Sequence, residues 1–225
     1  MSDRVIAVTG GHGALGRAVV EAALSDGLKV AIIDHASGQS APGDALELGG
    51  VDLTDPASAA QAIEAVVARF GRLDALLNIA GGFVWQTTDD DAPAWDRMHA
   101  LNVNTTLNAT RAALPHLKAS PEGRIVNVGA NGALKSAAGM GAYAASKSGV
   151  HRLTESLAEE LKSTSVTVNA VLPSILDTAQ NRADMPDADP AKWVAPADLA
   201  RVILFLASPE SRAVTGALIP VVGKV

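Results

Sequence analysis

Between Val5 and Leu24 the chain passes from a short apolar run, through the glycine-dense string TGGHGALG, into apolar residues at helical spacing. Val5 to Thr9 therefore reads as a strand and Leu15 to Leu24 as a helix, with Gly11, Gly13 and Gly16 forming G-x-G-x-x-G at the junction. Glycines there allow a tight turn and let the backbone approach a pyrophosphate, whose charge then faces the amides at the helix N-terminus. Val30 to Asp34 reads as a second strand, and Asp34 lies 18 residues beyond Gly16 at its end. A carboxylate in that place accepts hydrogen bonds from ribose hydroxyls and repels a 2′-phosphate, so NAD(H) is expected in preference to NADP(H). A charged His12 would pull the other way, which keeps NADP(H) as the alternative. The simpler reading of these residues is a turn packed for tightness and a solvated strand end.

Beyond this unit the alternation continues. A Gly/Ser/Pro-containing stretch runs to Gly50, and Asp55 and Pro56 then have the character of an N-cap and first residue of a helix ending near Gly71. Further strands are expected at Ala75 to Asn78, Arg124 to Val128, Val166 to Ala170 and Leu218 to Val222. Helices are expected at Pro93 to Leu117, Tyr143 to Leu161 and Ala197 to Ala207. Such alternation predicts an α/β fold with about seven mostly parallel strands and helices on both faces, ligands binding at the carboxyl strand ends. No linker or composition break divides residues 1–225, so one domain is expected. The Asp-, Ala- and Pro-rich stretch Pro173 to Pro196 reads either as a loop folding over a substrate or as ordinary surface loop.

Composition narrows the partners. Without cysteine, disulfides and thiolate metal sites are excluded, and five scattered histidines lack ligand spacing, so no metal is expected. The formal charge of -6 is spread in short mixed runs without Lys/Arg clustering, which argues against nucleic acid. No uncharged stretch reaches the roughly 18 residues that span a bilayer, so no membrane association and a cytoplasmic location are expected.

Tyr143 and Lys147, at i and i+4, share one helix face and reach a common site. A free phenol titrates near 10, too high for efficient proton exchange at neutral pH, whereas neighbouring ammonium and nicotinamide charges favour the phenolate. A shift of about two units corresponds to roughly 2.7 kcal/mol. The same spacing also suits a surface pair that merely stabilises its helix.

TGGHGALG, NIAG from Asn78 to Gly81, Asn102, YAASK from Tyr143 to Lys147 and VNAVLPS from Val168 to Ser174 together resemble the short-chain dehydrogenase/reductase family over nearly the whole chain. The resemblance implies a Rossmann-like doubly wound sheet, a homodimer or homotetramer, a small-molecule substrate and a nicotinamide cofactor. It implies Tyr143 as proton donor or acceptor, Lys147 on the nicotinamide ribose, and Asn102 ordering a water-linked proton path. The implied cofactor-binding residues are Gly10, Gly11, Gly13, Ala14, Leu15, Gly16, Asp34, Asp52, Leu53, Asn78, Ala80, Gly81, Tyr143, Lys147, Pro173 and Ser174. Asp52 is also read simply as the start of a turn.

Two positions depart from the family pattern. Ala130 stands where most members have a serine, 13 residues before the tyrosine, so the usual donor to a substrate carbonyl is missing. Asn131 or Ser136 is the candidate replacement. The middle glycine of the family's loop is Ala14, leaving Gly13 to supply flexibility. Both departures, with the stretch through Asp177, Asn181, Arg182, Met185, Pro186 and Trp193, resemble dihydropteridine reductases, which reduce a quinonoid, imine-like substrate with NADH. Such a substrate is more electrophilic than a ketone, so a lost donor matters less. Trp85, Ala130, Asn131, Met140 and Trp193 are the candidate substrate-side residues, with Trp85, Met140 and Trp193 forming a flat slot. The alternative function is a catalytically weak NAD(H)-binding sensor or scaffold, which would need the glycine loop and Asp34 but no tuned phenol.

Overall fold

The computed structural model describes residues 3–37, 42–90 and 93–225. Seven strands form one sheet in the order β3-β2-β1-β4-β5-β6-β7, and every pairing is parallel. They are β1 (Val5–Thr9), β2 (Lys29–Ile33), β3 (Leu46–Leu48), β4 (Ala75–Asn78), β5 (Arg124–Val128), β6 (Thr167–Pro173) and β7 (Leu218–Val221). Among the described residues seven α-helices connect them: α1 (Ala14–Ser25), α2 (Pro56–Phe70), α3 (Ala94–Met98), α4 (Thr105–Ala119), α5 (Gly141–Glu160), α6 (Ala179–Asp184) and α7 (Pro196–Leu206).

Because side chains alternate along a strand, β1 serves two cores at once. Val5 and Ala7 pack with Ile63 and Val66 of α2 and Ala109, Ala113 and Leu117 of α4, whereas Ile6 and Val8 pack with Val19 of α1 and Ile203 of α7. Burying a Val, Leu or Ile side chain contributes about 1.5–3 kcal/mol, so a strand covered on both faces has to be apolar throughout. Small residues on the inner helix faces, such as Ala59, Ala109 and Ala113, let those helices lie close to the sheet. Helix α2 begins as its sequence dictates: the Asp55 carboxylate accepts from Ala57 N and Ser58 N, Pro56 takes the first position, and Gly71 ends the helix at φ 79°.

Strand β3 occupies part of the stretch read as irregular; residues 38–41 of that stretch lie outside the described residues. A second difference concerns the helix expected from Pro93 to Leu117. It is interrupted by a π-helical segment, His99–Asn104. The hydroxyls of Thr105 and Thr106 donate to the carbonyls of Leu101 and Asn102 at 2.7 and 2.8 Å, competing with the backbone ladder at the point where the helical register changes. Among the described residues no helix is long and apolar enough to cross a membrane.

Candidate active site

Strand order reverses direction around β1 and β4, and a cavity of about 850 Å³ opens over the carboxyl ends of the strands there. Its floor is the loop after β1. Gly10 turns left-handed at φ 67°, and a Cβ on it would meet Ala80 N and Cα at 2.9 and 2.8 Å. Gly13 precedes α1 at φ −68° without a side-chain cap, so the amides of the first turn face the cavity free of side-chain competition. The left-handed residue is therefore Gly10; Gly13 has an ordinary conformation and Ala14 enters the helix without strain.

The walls follow from the neighbouring strand ends. Asp34 closes β2, its carboxylate accepting from His12 N and Ala36 N, both at 2.9 Å. Each oxygen retains lone-pair capacity for a further donor. Asp52 and Leu53 also line the cavity; the Asp52 Oδ1 accepts from Thr54 N and Oγ1 at 2.9 and 2.6 Å, which holds its carboxyl below the usual range. Asp52 thus both faces the cavity and begins a turn. Gly10, Gly13, Ala14, Leu15, Gly16, Ala80, Gly81, Tyr143 and Lys147 share this lining. These residues fit a dinucleotide: a glycine floor, uncapped helix amides and a terminal carboxylate in one groove.

Other expected residues lie beneath or beside the groove. Gly11 packs against Ile32 and borders an adjoining recess. Asn78 is buried under the floor, its Nδ2 donating to Thr110 Oγ1 and Asn127 Oδ1 at 3.1 and 2.8 Å. Asn127 continues the chain to Thr154 Oγ1 at 2.9 Å, so a buried polar ladder ties β4 to β5 and α5. Pro173 ends β6, while Ser174 donates its hydroxyl to Val222 O; the cavity is lined instead by Leu176 and Thr178.

Helix α5 supplies the reactive pair. Tyr143 and Lys147 lie one turn apart and both line the cavity. The Lys147 Nζ donates to Val128 O at 2.8 Å and lies where a Cβ on Gly81 would be 3.3 Å away, beside the cofactor floor. Burial pushes the ammonium down to about 8 and the Tyr143 phenol up to about 12. In the protein alone the phenol is therefore raised, opposite to the lowering expected from neighbouring positive charge. Asn102, fully buried on the π-helical segment, accepts from Gly82 N at 3.0 Å and donates to Gly82 O and Ser146 Oγ at 3.1 and 3.0 Å. Its side chain locks the loop after β4 to α5, three residues from Tyr143, whose carbonyl accepts from Ser146 Oγ at 2.7 Å.

The substrate side is less uniform. Ala130 is buried at the end of β5, and Asn131 starts a 3-10 turn, Asn131–Ala133. Exposed Trp85 covers Gly139 and donates Nε1 to Ala138 O at 3.1 Å, next to Met140, which approaches Gly132. Trp193 is 8 % exposed and has its main chain against Gly223, away from Trp85 and Met140, so the expected three-residue slot is not assembled; Trp85, Ala130, Asn131, Met140 and Trp193 all lie outside the cavity lining. Two aromatics that the sequence reading missed join the group: Phe83 meets Tyr143 edge-on at 5.0 Å, and Trp95 packs against Gly141. Four of the seven aromatic residues, Phe83, Trp85, Trp95 and Tyr143, thus gather around the start of α5. Only their common neighbourhood in an otherwise aromatic-poor chain hinted at this.

His151, one turn beyond Lys147, was also missed. Its ring lies over Gly129, and Nε2 accepts from Ala130 N at 3.3 Å, so the loop after β5 is held between Lys147 and His151. Burial, with the Arg152 and Lys147 charges, pushes the imidazole down to about 4. The folded value lies below the ordinary 6.5, so folding disfavours protonation; the contribution is complete above about pH 6.5 and is lost as pH falls toward 4. A shift of this size corresponds to roughly 3 kcal/mol. Urea unfolding at pH 7 and pH 4.5 should show this loss in the wild type and a smaller one in His151→Gln, which keeps an acceptor without the titration. Equal losses in both proteins would place the acid-sensitive group elsewhere.

A groove that joins a glycine floor, a carboxylate at a strand end, and a tyrosine and a lysine one helical turn apart is of the kind found in nucleotide-dependent oxidoreductases. Residues 4–189 match the short chain dehydrogenase family, and the chain belongs to it. It is 34% identical to the 2-(S)-hydroxypropyl-CoM dehydrogenase 3 of Xanthobacter autotrophicus, over 99% of this chain and 96% of that one. It is 30% identical to the 3-oxoacyl-(acyl-carrier-protein) reductase FabG of Vibrio cholerae, over 99% and 97%. The ligand-free aldohexose dehydrogenase of Thermoplasma acidophilum superposes with a TM-score of 0.89 at 27% identity, covering 99% of this chain and 93% of that one. Carveol dehydrogenase of Mycobacterium avium, in complex with NAD, superposes at 0.85 and 26%, covering 98% and 96%. The protein is an oxidoreductase of a family that binds NAD(P) and acts on small molecules.

Proposed function

We propose that the chain is a single domain over residues 1–225 that transfers hydride between NADH and a small carbonyl, quinonoid or imine-like substrate, with quinonoid dihydropterin the first candidate. The observation that carries this reading is the placement of Tyr143 and Lys147 in the same cavity as the glycine floor, with Ala130 where a hydroxyl donor is usual. In this reading the floor and the α1 amides hold the pyrophosphate, Asp34 takes the adenosine ribose, and Lys147 takes the nicotinamide ribose. A reduced nicotinamide bound there would supply the hydride. Tyr143 supplies the proton: its phenol, raised by burial, is protonated at neutral pH, the state that reduction requires. Asn102 and Ser146 hold the helix that carries it.

Ala130 supports a substrate that needs little help from a carbonyl donor, since one oriented donor is worth about 3–4 kcal/mol to a developing oxyanion. A cytoplasmic homodimer or homotetramer, with neither nucleic acid nor membrane as a partner, completes the reading. The test follows the fall in NADH absorbance with quinonoid dihydropterin beside ketones and quinones. The ketone arm matters because relatives carry names such as 3-oxoacyl reductase and carveol dehydrogenase. Rapid turnover of the pterin alone supports the pteridine assignment. Turnover of ketones or quinones alone removes it and leaves hydride transfer standing, while binding of NADH without turnover of any substrate favours the sensor.

A further inference from the structure

The loop after β1 carries a basic side chain between its glycines, and the protein has already engaged it. His12 donates its backbone N–H to Asp34 Oδ2 at 2.9 Å, while its Nε2 lies 2.7 Å from Glu47 Oε1 on β3. The contact is sheltered, with the His12 side chain 8% exposed and that of Glu47 21%. The second carboxylate oxygen, Glu47 Oε2, is buried without a hydrogen-bond partner. Position is fixed by the sheet: Glu47 is in register with Ile32, and the next pair up is closed by Asp34 N donating to Leu48 O at 3.0 Å. Arg17 Nε donates to His12 O at 2.8 Å and steadies the loop from the helix side.

Glu47 therefore holds the imidazole while Asp34 holds the backbone of the same residue, so two carboxylates stand close together near the end of β2. A ribose 2′-hydroxyl is a donor and finds acceptors there. A 2′-phosphate carries about −1.5 to −2 charges, offers only acceptors, and needs a cation or a free donor. His12 would be that donor, but Glu47 holds its N–H, and Glu47 adds a second negative charge to that of Asp34. We infer that Glu47 is a cofactor-specificity residue: by engaging His12 it turns the loop from one that would accept a 2′-phosphate into one that rejects it. The inference rests on the reading that the groove takes a nicotinamide dinucleotide with its adenosine ribose at Asp34. Leu46–Leu48 is short and half-buried, which is why no motif in the sequence marks Glu47.

Purified wild type, Glu47→Gln, Glu47→Ala and the double variant His12→Ala/Glu47→Ala should be titrated with NADH and with NADPH, following ligand fluorescence. Glutamine keeps an acceptor for His12 and removes the charge; alanine frees the imidazole entirely. The ratio of the NADPH to the NADH dissociation constant should fall roughly five- to tenfold in both single variants, as removal of one like charge near a partly screened phosphate implies. Adding His12→Ala to Glu47→Ala should return the part of that gain that the freed imidazole supplies, leaving the part due to the lost charge. A ratio within twofold of wild type in both single variants overturns the inference. So does a parallel weakening of both ligands, which would make Glu47 a support of the loop alone. A wild type that binds neither ligand overturns the dinucleotide reading itself, a result distinct from either.

Discussion

Replacing Tyr143 with Phe should reduce turnover about a thousandfold while leaving NADH affinity within a few-fold of wild type. Positioned proton transfer contributes about 10²–10⁴ to rate, and the phenol is the group at the cavity with a proton to give at neutral pH. Lys147 does not replace it. Its ammonium donates to Val128 O at the end of β5 and is buried, so the lysine acts as a fixed charge beside the floor rather than as a mobile donor. The ring itself should stay in place, because Phe83 meets it edge-on and phenylalanine preserves that contact. Steady-state turnover and a fluorescence titration on the same preparation check both halves. Should the variant retain more than a tenth of wild-type turnover, the proton comes from another group; should NADH affinity fall equally with rate, Tyr143 holds the cofactor rather than the chemistry.

The parts of this architecture that the sequence announces are those built from backbone demands. A strand buried on both faces must be apolar, and a backbone that approaches another backbone must be glycine, so β1, the loop through Gly16 and the α2 caps at Asp55, Pro56 and Gly71 were all legible. Features that depend on contacts distant in sequence were not. Strand β3 is three residues at a sheet edge, too short for alternation to show. The π-helical segment follows the same apolar spacing as its flanking helices, and Thr105 and Thr106 are its one local sign. The sequence suggested one slot for Trp85 and Trp193 and gave no sign for Trp95. The fold places Trp85 and Trp95 around the start of α5 and buries Trp193 against the chain near Gly223, a division set by loop geometry alone. The cofactor half of the groove is thus readable from residue types, and the substrate half only from the assembled fold.

Gly16→Ala should abolish measurable NADH binding, a loss of a hundredfold or more, although it adds a single methyl group. A Cβ there would lie 2.1 Å from Gly10 O, 2.7 Å from Gly11 Cα and 2.9 Å from Gly10 C. All three atoms are backbone, so no side chain can swing aside. Gly10 cannot retreat, because it stands against Ala80. The strain falls on α1, which has to lift away from the loop and from its packing on α7 through Val19 and Ile203. Overpacking of this kind costs about 1–3 kcal/mol in stability, and a displacement of about 1 Å at a positioning element costs about 10² in function. Gly27→Ala is the control: it carries φ 76° but has nothing within 4 Å of its Cβ, so it should lose about 1 kcal/mol to backbone strain and bind NADH normally. Unfolding midpoints and NADH titrations on the two variants separate strain from approach. Gly16→Ala binding NADH within threefold of wild type would mean that the helix terminus does not seat the pyrophosphate; loss in Gly16→Ala alone would locate the binding energy in the closeness of two stretches of backbone.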